Sequence, residues 1–183
     1  MTSYLTSVIK QFEYYKSLGD QTIDRLSLEE LQKTLQQDSN SIAIIVKHLS
    51  GNMLSRWTNF MTDDGEKPWR NRDEEFKDTY PSKEAIVSDW NKGWSCLFNA
   101  LTDLEERDLE RIVYIRNQGH SAIEAINRQL MHYAYHIGQM VFLGKLLKGA
   151  NWISLSIPMG QSKAFNDLKF NKPQQRQHFT DEL

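Results

Sequence analysis

Apolar residues recur at helical spacing in four long stretches of this chain. Leu5, Val8, Ile9, Phe12, Tyr15, Leu18, Thr22, Ile23 and Leu26 predict a first long helix over roughly residues 2–25. Gly19 lies inside it, where a glycine costs about 1 kcal/mol relative to alanine. Ser27-Leu-Glu-Glu30 reads as a capping box that opens a short helix, ending near the polar run Gln36-Gln-Asp-Ser-Asn40. A second long helix starts around Ser39 to Ser41 and carries Ile42, Ile45, Val46, Leu49, Met53, Trp57, Phe60 and Met61. A third opens at Pro81-Ser82, with Ser82 as N-cap and a buried stripe of Ile86, Trp90, Trp94, Leu97 and Leu101. Ser121-Ala-Ile-Glu124 is a second capping box. It opens the longest helix, roughly 121–148, which Gly149 stops. At about 1.5 Å per residue that helix is about 40 Å long.

The segments between these helices follow other patterns. Thr62 to Phe76 contains Gly65 and Pro68 and reads as a long loop, a feature that in compact domains is often functional. Ile112, Val113, Tyr114 and Ile115 predict a short extended segment, half of a small ribbon. The tail from Asn151 has no strong period, but Trp152, Leu155, Ile157, Phe165 and Phe170 suggest that it packs on the helices. The expected fold is therefore all-α, an antiparallel four-helix bundle in a single domain over 1–183, with the tail 151–183 packed on it.

Composition narrows the function without naming it. A chain of 183 residues is long enough for one real core. The net charge of −2 argues against bulk nucleic-acid or membrane-surface binding. No apolar run is long enough to span a bilayer. The start, Met1-Thr-Ser-Tyr-Leu-Thr-Ser, lacks the charged and apolar regions of a signal peptide, and the single Cys96 suits a reducing compartment. A cytoplasmic location is the expectation.

The chemistry sits in five histidines: His48, His120, His132, His136 and His178. His132 and His136 are four residues apart in Gln129-Leu-Met-His-Tyr-Ala-Tyr-His-Ile-Gly-Gln139, so a helix stacks both imidazoles on one face. His48, on the second long helix, is the natural third ligand. Three neutral imidazoles suit Zn, Ni or Fe better than Mg or Ca, and three protein ligands leave a position for water or substrate. Spacing alone also fits an ordinary helical pair, and His48 alone fits a satisfied core histidine. No Glu follows His132, so the pair is not the zincin motif with its built-in base.

The stretch His132-Tyr-Ala-Tyr-His136-Ile-Gly-Gln139, together with His48 in Val-Lys-His-Leu-Ser-Gly-Asn52, resembles the DinB/YfiT-like metalloenzyme superfamily. The loop Asp64-Gly-Glu-Lys-Pro-Trp-Arg-Asn-Arg-Asp73 and the segment from Trp152 to Ser162 resemble one uncharacterised branch of it. The resemblance implies a four-helix bundle with one divalent metal, often Zn or Ni, on His48, His132 and His136, and commonly a homodimer. Characterised relatives include mycothiol-dependent maleylpyruvate isomerase and bacillithiol S-transferases. The resemblance therefore implies a metal-dependent enzyme that activates a low-molecular-weight thiol for S-transfer or isomerisation of a small-molecule substrate. The alternatives are a non-catalytic, metal-stabilised dimeric stress or interaction protein, and a metal-dependent hydrolase. The hydrolase lacks an assignable carboxylate base.

Other residues are weighed beside the metal. Arg70 and Arg72 could hold an anionic substrate or thiol cofactor, because guanidinium forks match carboxylates. Equally, the loop could be structural, with Trp69 buried and its arginines paired to Asp or Glu. Asn52 and Arg56 lie one and two turns beyond His48 and would line the mouth of the site, though Asn52 also fits a plain helix contact. Gln139 is similarly open. Tyr133, Trp57, Trp90 and Trp94 read as core, Cys96 as a small buried hydrophobe, and His120 and His178 as solvent-facing.

Overall fold

The computed structural model describes residues 4–181. Four long helices dominate it: α1 (Tyr4–Asp24), α3 (Ile42–Trp57), α4 (Lys83–Thr102) and α5 (Ala122–Lys148). Shorter helices are α2 (Leu28–Gln32) and α6 (Ser162–Phe170), and the only sheet among the described residues is the ribbon of β1 (Ile112–Ile115) and β2 (Gln118–Ser121). The chain is all-α in class. The first helix's expected start at residue 2 lies outside the described residues.

Local signals in the sequence set most boundaries. Ser27 and Ser121 both close full capping boxes, and Ser41 and Ser82 accept from the third backbone N–H of their helices. These side chains satisfy donors that a helix start leaves unpaired. Gly149, at φ 53°, ends α5 in a backbone region that glycine enters without steric cost. Two boundaries differ from expectation. The second long helix stops at Trp57 instead of running to Met61, because Thr58 turns extended and Asn59 takes a left-handed φ of 50°. The short helix stops at Gln32, where Lys33 becomes extended.

Helix α3 packs most extensively on α4, and α1 on α5, with further α3–α5 and α1–α4 contacts. Nearly every side of α3 is buried, as expected for a helix with neighbours all round. One aromatic ring from each long helix meets at the centre. Phe12 packs on Trp57, Trp94 and Tyr133 at centroid distances of 6.2, 6.3 and 5.9 Å, in tilted and edge-on geometries that aromatic pairs favour. Gly19 is explained at the α1–α4 contact: a Cβ there would lie 2.4 Å from the Trp90 ring.

The ribbon and the long loop form one unit beside this core. Gly65 N donates to Tyr114 O at 2.8 Å. Asp64 accepts backbone N–H groups from Glu66, Arg116 and Asn117. Arg116 and Asn117 both have positive φ, so Asp64 holds a tight hairpin turn in place. The long loop ends in a 3-10 turn, Asp73–Phe76, which packs on α3.

The tail touches the helices at different points from those expected. The Trp152 ring lies against Gly144 and under Arg25, but Phe165 and Phe170 are exposed and α6 buries no residue. Contact resumes on α1, where Ser7 meets His178, Tyr14 meets Phe179 and Lys10 pairs with Asp181.

Candidate metal centre

Packing of α5 against α3 brings His132 and His136 up to His48. One nitrogen from each of the three lies within 4.8 Å of the others. His48 is buried, and the other two are half-buried. Nε2 of His48 stands 3.3 Å from Nε2 of His132.

A feature of the loop fixes the proton on His48. Its Nδ1 lies 2.9 Å from Oε2 of Glu75. Burial works to raise the Glu75 carboxyl, but hydrogen bonds from His48 and Arg70 and the charge of Arg70 outweigh it and hold it below the usual range. An ionised carboxylate only accepts, so Nδ1 of His48 carries a hydrogen and its Nε2 is the nitrogen that faces His132. Burial, followed by the neighbouring histidines and arginines, pushes His132 down to about 3. Burial and then His48 push His136 down to about 4, although a hydrogen bond with Gln139 works the other way. His132 and His136 are therefore neutral near pH 7, the state in which an imidazole ligates a metal.

The donor set can be tested against such an ion. Two nitrogens bound at about 2.0–2.1 Å with tetrahedral angles stand roughly 3.3–3.4 Å apart. The His48–His132 nitrogen pair has that spacing, at 3.3 Å. A hydrogen shared between the two nitrogens or a cation bound by both accounts for so close an approach. Among the described residues, Nδ1 of His136 is buried with no hydrogen-bond partner, an uncommon state for a buried polar atom. The carboxylate behind His48 is the kind of partner that orients a ligating imidazole. His48, His132 and His136 thus fit a single borderline transition-metal ion.

The histidines border a cavity of about 360 Å³, also lined by Asn52, Arg56, Arg70, Arg72, Phe76, Arg116, Arg128 and Gln129. The structure therefore gathers Asn52, Arg56, Arg70 and Arg72 around the histidines, but engages them differently. Asn52 accepts from the Tyr133 hydroxyl at 3.0 Å, and that hydroxyl accepts from Trp57 Nε1 at 3.0 Å. Arg56 is buried, bonded to Gly65 O and to Glu66. Arg70 gives its fork to Glu75, at 2.7 and 2.9 Å, and reaches Glu66 at 3.3 Å. Arg72 is exposed and lies over the Phe76 ring, which stacks on His48. Trp69, weighed as a buried loop residue, is 59% exposed. His120 and His178, expected to face solvent, are half-buried beside Arg128 and Ser7.

Sequence reasoning missed Glu75, Phe76, Arg116, Arg128 and Gln129. Two of these carried a readable signal: Arg128 and Gln129 lie four and three residues before His132, on the same helical face. The loop and hairpin residues carried none, because no period relates them to the histidines.

Residues 1–161 match the family model described as "Protein of unknown function (DUF1572)". No curated protein and no solved structure matches the chain.

Proposed function

This chain belongs to the DUF1572 family, and on that premise we propose that it is a DinB/YfiT-like four-helix bundle serving as a metal-dependent enzyme. The cyclic run of helix contacts, α1 to α5 to α3 to α4 and back, supports the bundle reading. His48, His132 and His136 would hold one divalent ion: Zn, Ni or Fe. Such an ion supplies Lewis acidity, which favours the deprotonated form of a bound thiol or water.

The observation that carries the reading is the three-histidine cluster at a cavity whose rim includes the exposed residues Arg72, Arg116 and Arg128. A site reached from the surface suits catalysis, whereas a sealed four-ligand site suits a structural ion. Among its own residues, Glu75 orients His48, the arginines bind and orient a partner, and Phe76 walls one side of the His48 ring. The favoured reaction is attack by a low-molecular-weight thiol on an electrophilic small molecule, in S-transfer or isomerisation. Hydrolysis is disfavoured because Glu75, the carboxylate beside the histidines, is tied to His48 and Arg70.

The same reading includes a homodimer and a cytoplasmic setting. Met131, Tyr135, Phe142 and Leu146 of α5 are all more than half exposed, and the exposed Gly138 among them has open space above it. That stripe suits a second copy. Among the described residues, no helix is long and apolar enough to cross a membrane.

Elemental analysis of freshly purified protein, followed by thiol consumption with model electrophiles, tests the proposal. The expected result is about one divalent metal ion per chain and turnover that disappears in His48→Ala while the fold persists. Metal-free wild-type protein would overturn it. Collapse of the His48→Ala fold, with no thiol turnover in the wild type, would favour a non-catalytic metal-stabilised protein.

A further inference from the structure

The charges around the histidine cavity do not balance. Five arginines line it: Arg56, Arg70, Arg72, Arg116 and Arg128. Among the described residues, Glu66 and Glu75 form ion pairs with them, and Asp64 adds a third carboxylate that acts on Arg56 through its charge. Five guanidiniums against three carboxylates leave two positive charges over, in a chain whose net charge is −2. The excess is thus local to this cavity.

The arginines fall into two groups. Arg56 and Arg70 are buried in the wall and held by Gly65, Glu66 and Glu75. They shape the cavity. Arg72, Arg116 and Arg128 are exposed at the rim. Among the described residues, Arg72 and Arg128 have no carboxylate partner; Arg72 rests on Phe76, and Arg128 only approaches His120, at 3.4 Å. Arg116 shares Glu66 with two other arginines, and its backbone is pinned by Asp64. Two further polar atoms of lining residues lack partners among the described residues, Nε of Arg56 and Oε1 of Gln129. Buried polar atoms without partners are uncommon in a folded chain, and these two belong to the walls of one cavity.

We propose that this cavity binds a small anion carrying at least two negative charges, held by Arg72, Arg116 and Arg128 over the three histidines. That this anion is a reactant of the site rests on the metalloenzyme reading; its binding does not. Guanidinium forks match the paired oxygens of carboxylates and phosphates. A single charge would leave the rim unbalanced. At about 360 Å³ the cavity is near the small end of ligand pockets, which run from about 300 to 1,000 Å³. It suits a molecule of a few carbons and not a polymer.

Calorimetric titration of the protein as purified, with succinate, inorganic phosphate and acetate, tests this. At least one dianion should bind at least about tenfold more tightly than acetate, with an affinity that falls as salt rises. Tighter succinate marks a dicarboxylate ligand, and tighter phosphate a phosphate-bearing one; either supports the proposal. The Arg72→Gln/Arg128→Gln double variant should lose at least about tenfold in dianion affinity while its metal content and melting temperature stay unchanged. Wild-type protein that binds neither dianion better than acetate overturns the proposal, as does a double variant that binds like the wild type. Metal content separates this from the preceding proposal. Metal-free protein that still binds the dianion through these arginines removes the metalloenzyme reading alone. Metal-loaded protein indifferent to dianions removes the present one alone.

Discussion

Oε2 of Glu75 stands 2.9 Å from Nδ1 of His48, in the buried contact between α3 and the 3-10 turn of the long loop. The same carboxylate takes both arms of the Arg70 fork. Glu75 therefore orients a candidate ligand and neutralises a buried guanidinium at once.

Glu75→Gln should weaken divalent-metal affinity by about 10–100-fold, the usual cost of removing the carboxylate behind a ligating histidine. It also strips a buried charge partner from Arg70, so unfolding free energy should fall by roughly 3–5 kcal/mol. Chelator competition reads the first effect and denaturant unfolding the second. Unchanged metal affinity would mean that Glu75 serves only the loop.

Gly51→Ala tests how Glu75 reaches His48. In an ordinary helix interior this change gains about 1 kcal/mol. Here the new Cβ would lie 2.4 Å from Oε1 of Glu75. The variant should instead lose roughly 1–3 kcal/mol, and its metal affinity should move toward that of Glu75→Gln. A stabilised variant with full metal affinity would contradict the packing described.

Gly19→Ala is the matching test in the core. A Cβ at Gly19 would meet the Trp90 ring at 2.4 Å, where the indole is fully packed. The expected loss is roughly 1–3 kcal/mol of unfolding free energy, with no change in metal content. Thermal or denaturant melts, with elemental analysis alongside, measure both.

Asp64→Ala should cost roughly 1–3 kcal/mol, because its carboxylate accepts three backbone N–H groups. Burial raises this carboxyl, but the hydrogen bonds from Asn117, Glu66 and Arg116 outweigh it, and its folded value lies below the ordinary 3.8. A lowered folded value means stability that is present above 3.8 and lost as pH falls through the folded value. The gap between wild type and Asp64→Ala should be full near neutral pH and close below that point. A gap that grew in acid would reverse the assignment.

Four helix starts were legible because each carries a local signal: Ser27, Ser41, Ser82 and Ser121 cap α2, α3, α4 and α5. His132 and His136 were legible for the same reason, since one turn of helix relates them, whereas His48 joined them through its helix and the family resemblance. Glu75 was not, because its place depends on how the loop from Thr58 folds back over α3 and on Gly51 leaving room. Arg70 illustrates the same limit. Its guanidinium suggested a ligand in the sequence, but the fold spends its fork on Glu75, and the rim charges fall to residues from three separate segments. The tail's Phe165 and Phe170 were expected to pack on the helices and are exposed, on a helix α6 that buries none of its residues.

Three consecutive residues of α5 face three different surroundings. Met131 is 67% exposed, His132 borders the cavity, and Tyr133 is wholly buried at the aromatic centre. The Tyr133 ring contacts Phe12 and Trp94, while its hydroxyl donates to Asn52 at the cavity wall. Rotating α5 by one residue, about 100°, would replace His132 at the cavity by Tyr133 in one sense, or by Met131 with His132 carried into the core in the other. The phase of this helix is therefore a single adjustable quantity shared by core, cavity and outer face. A variant selected for any one of them is simultaneously selected, through the same helix phase, for the other two.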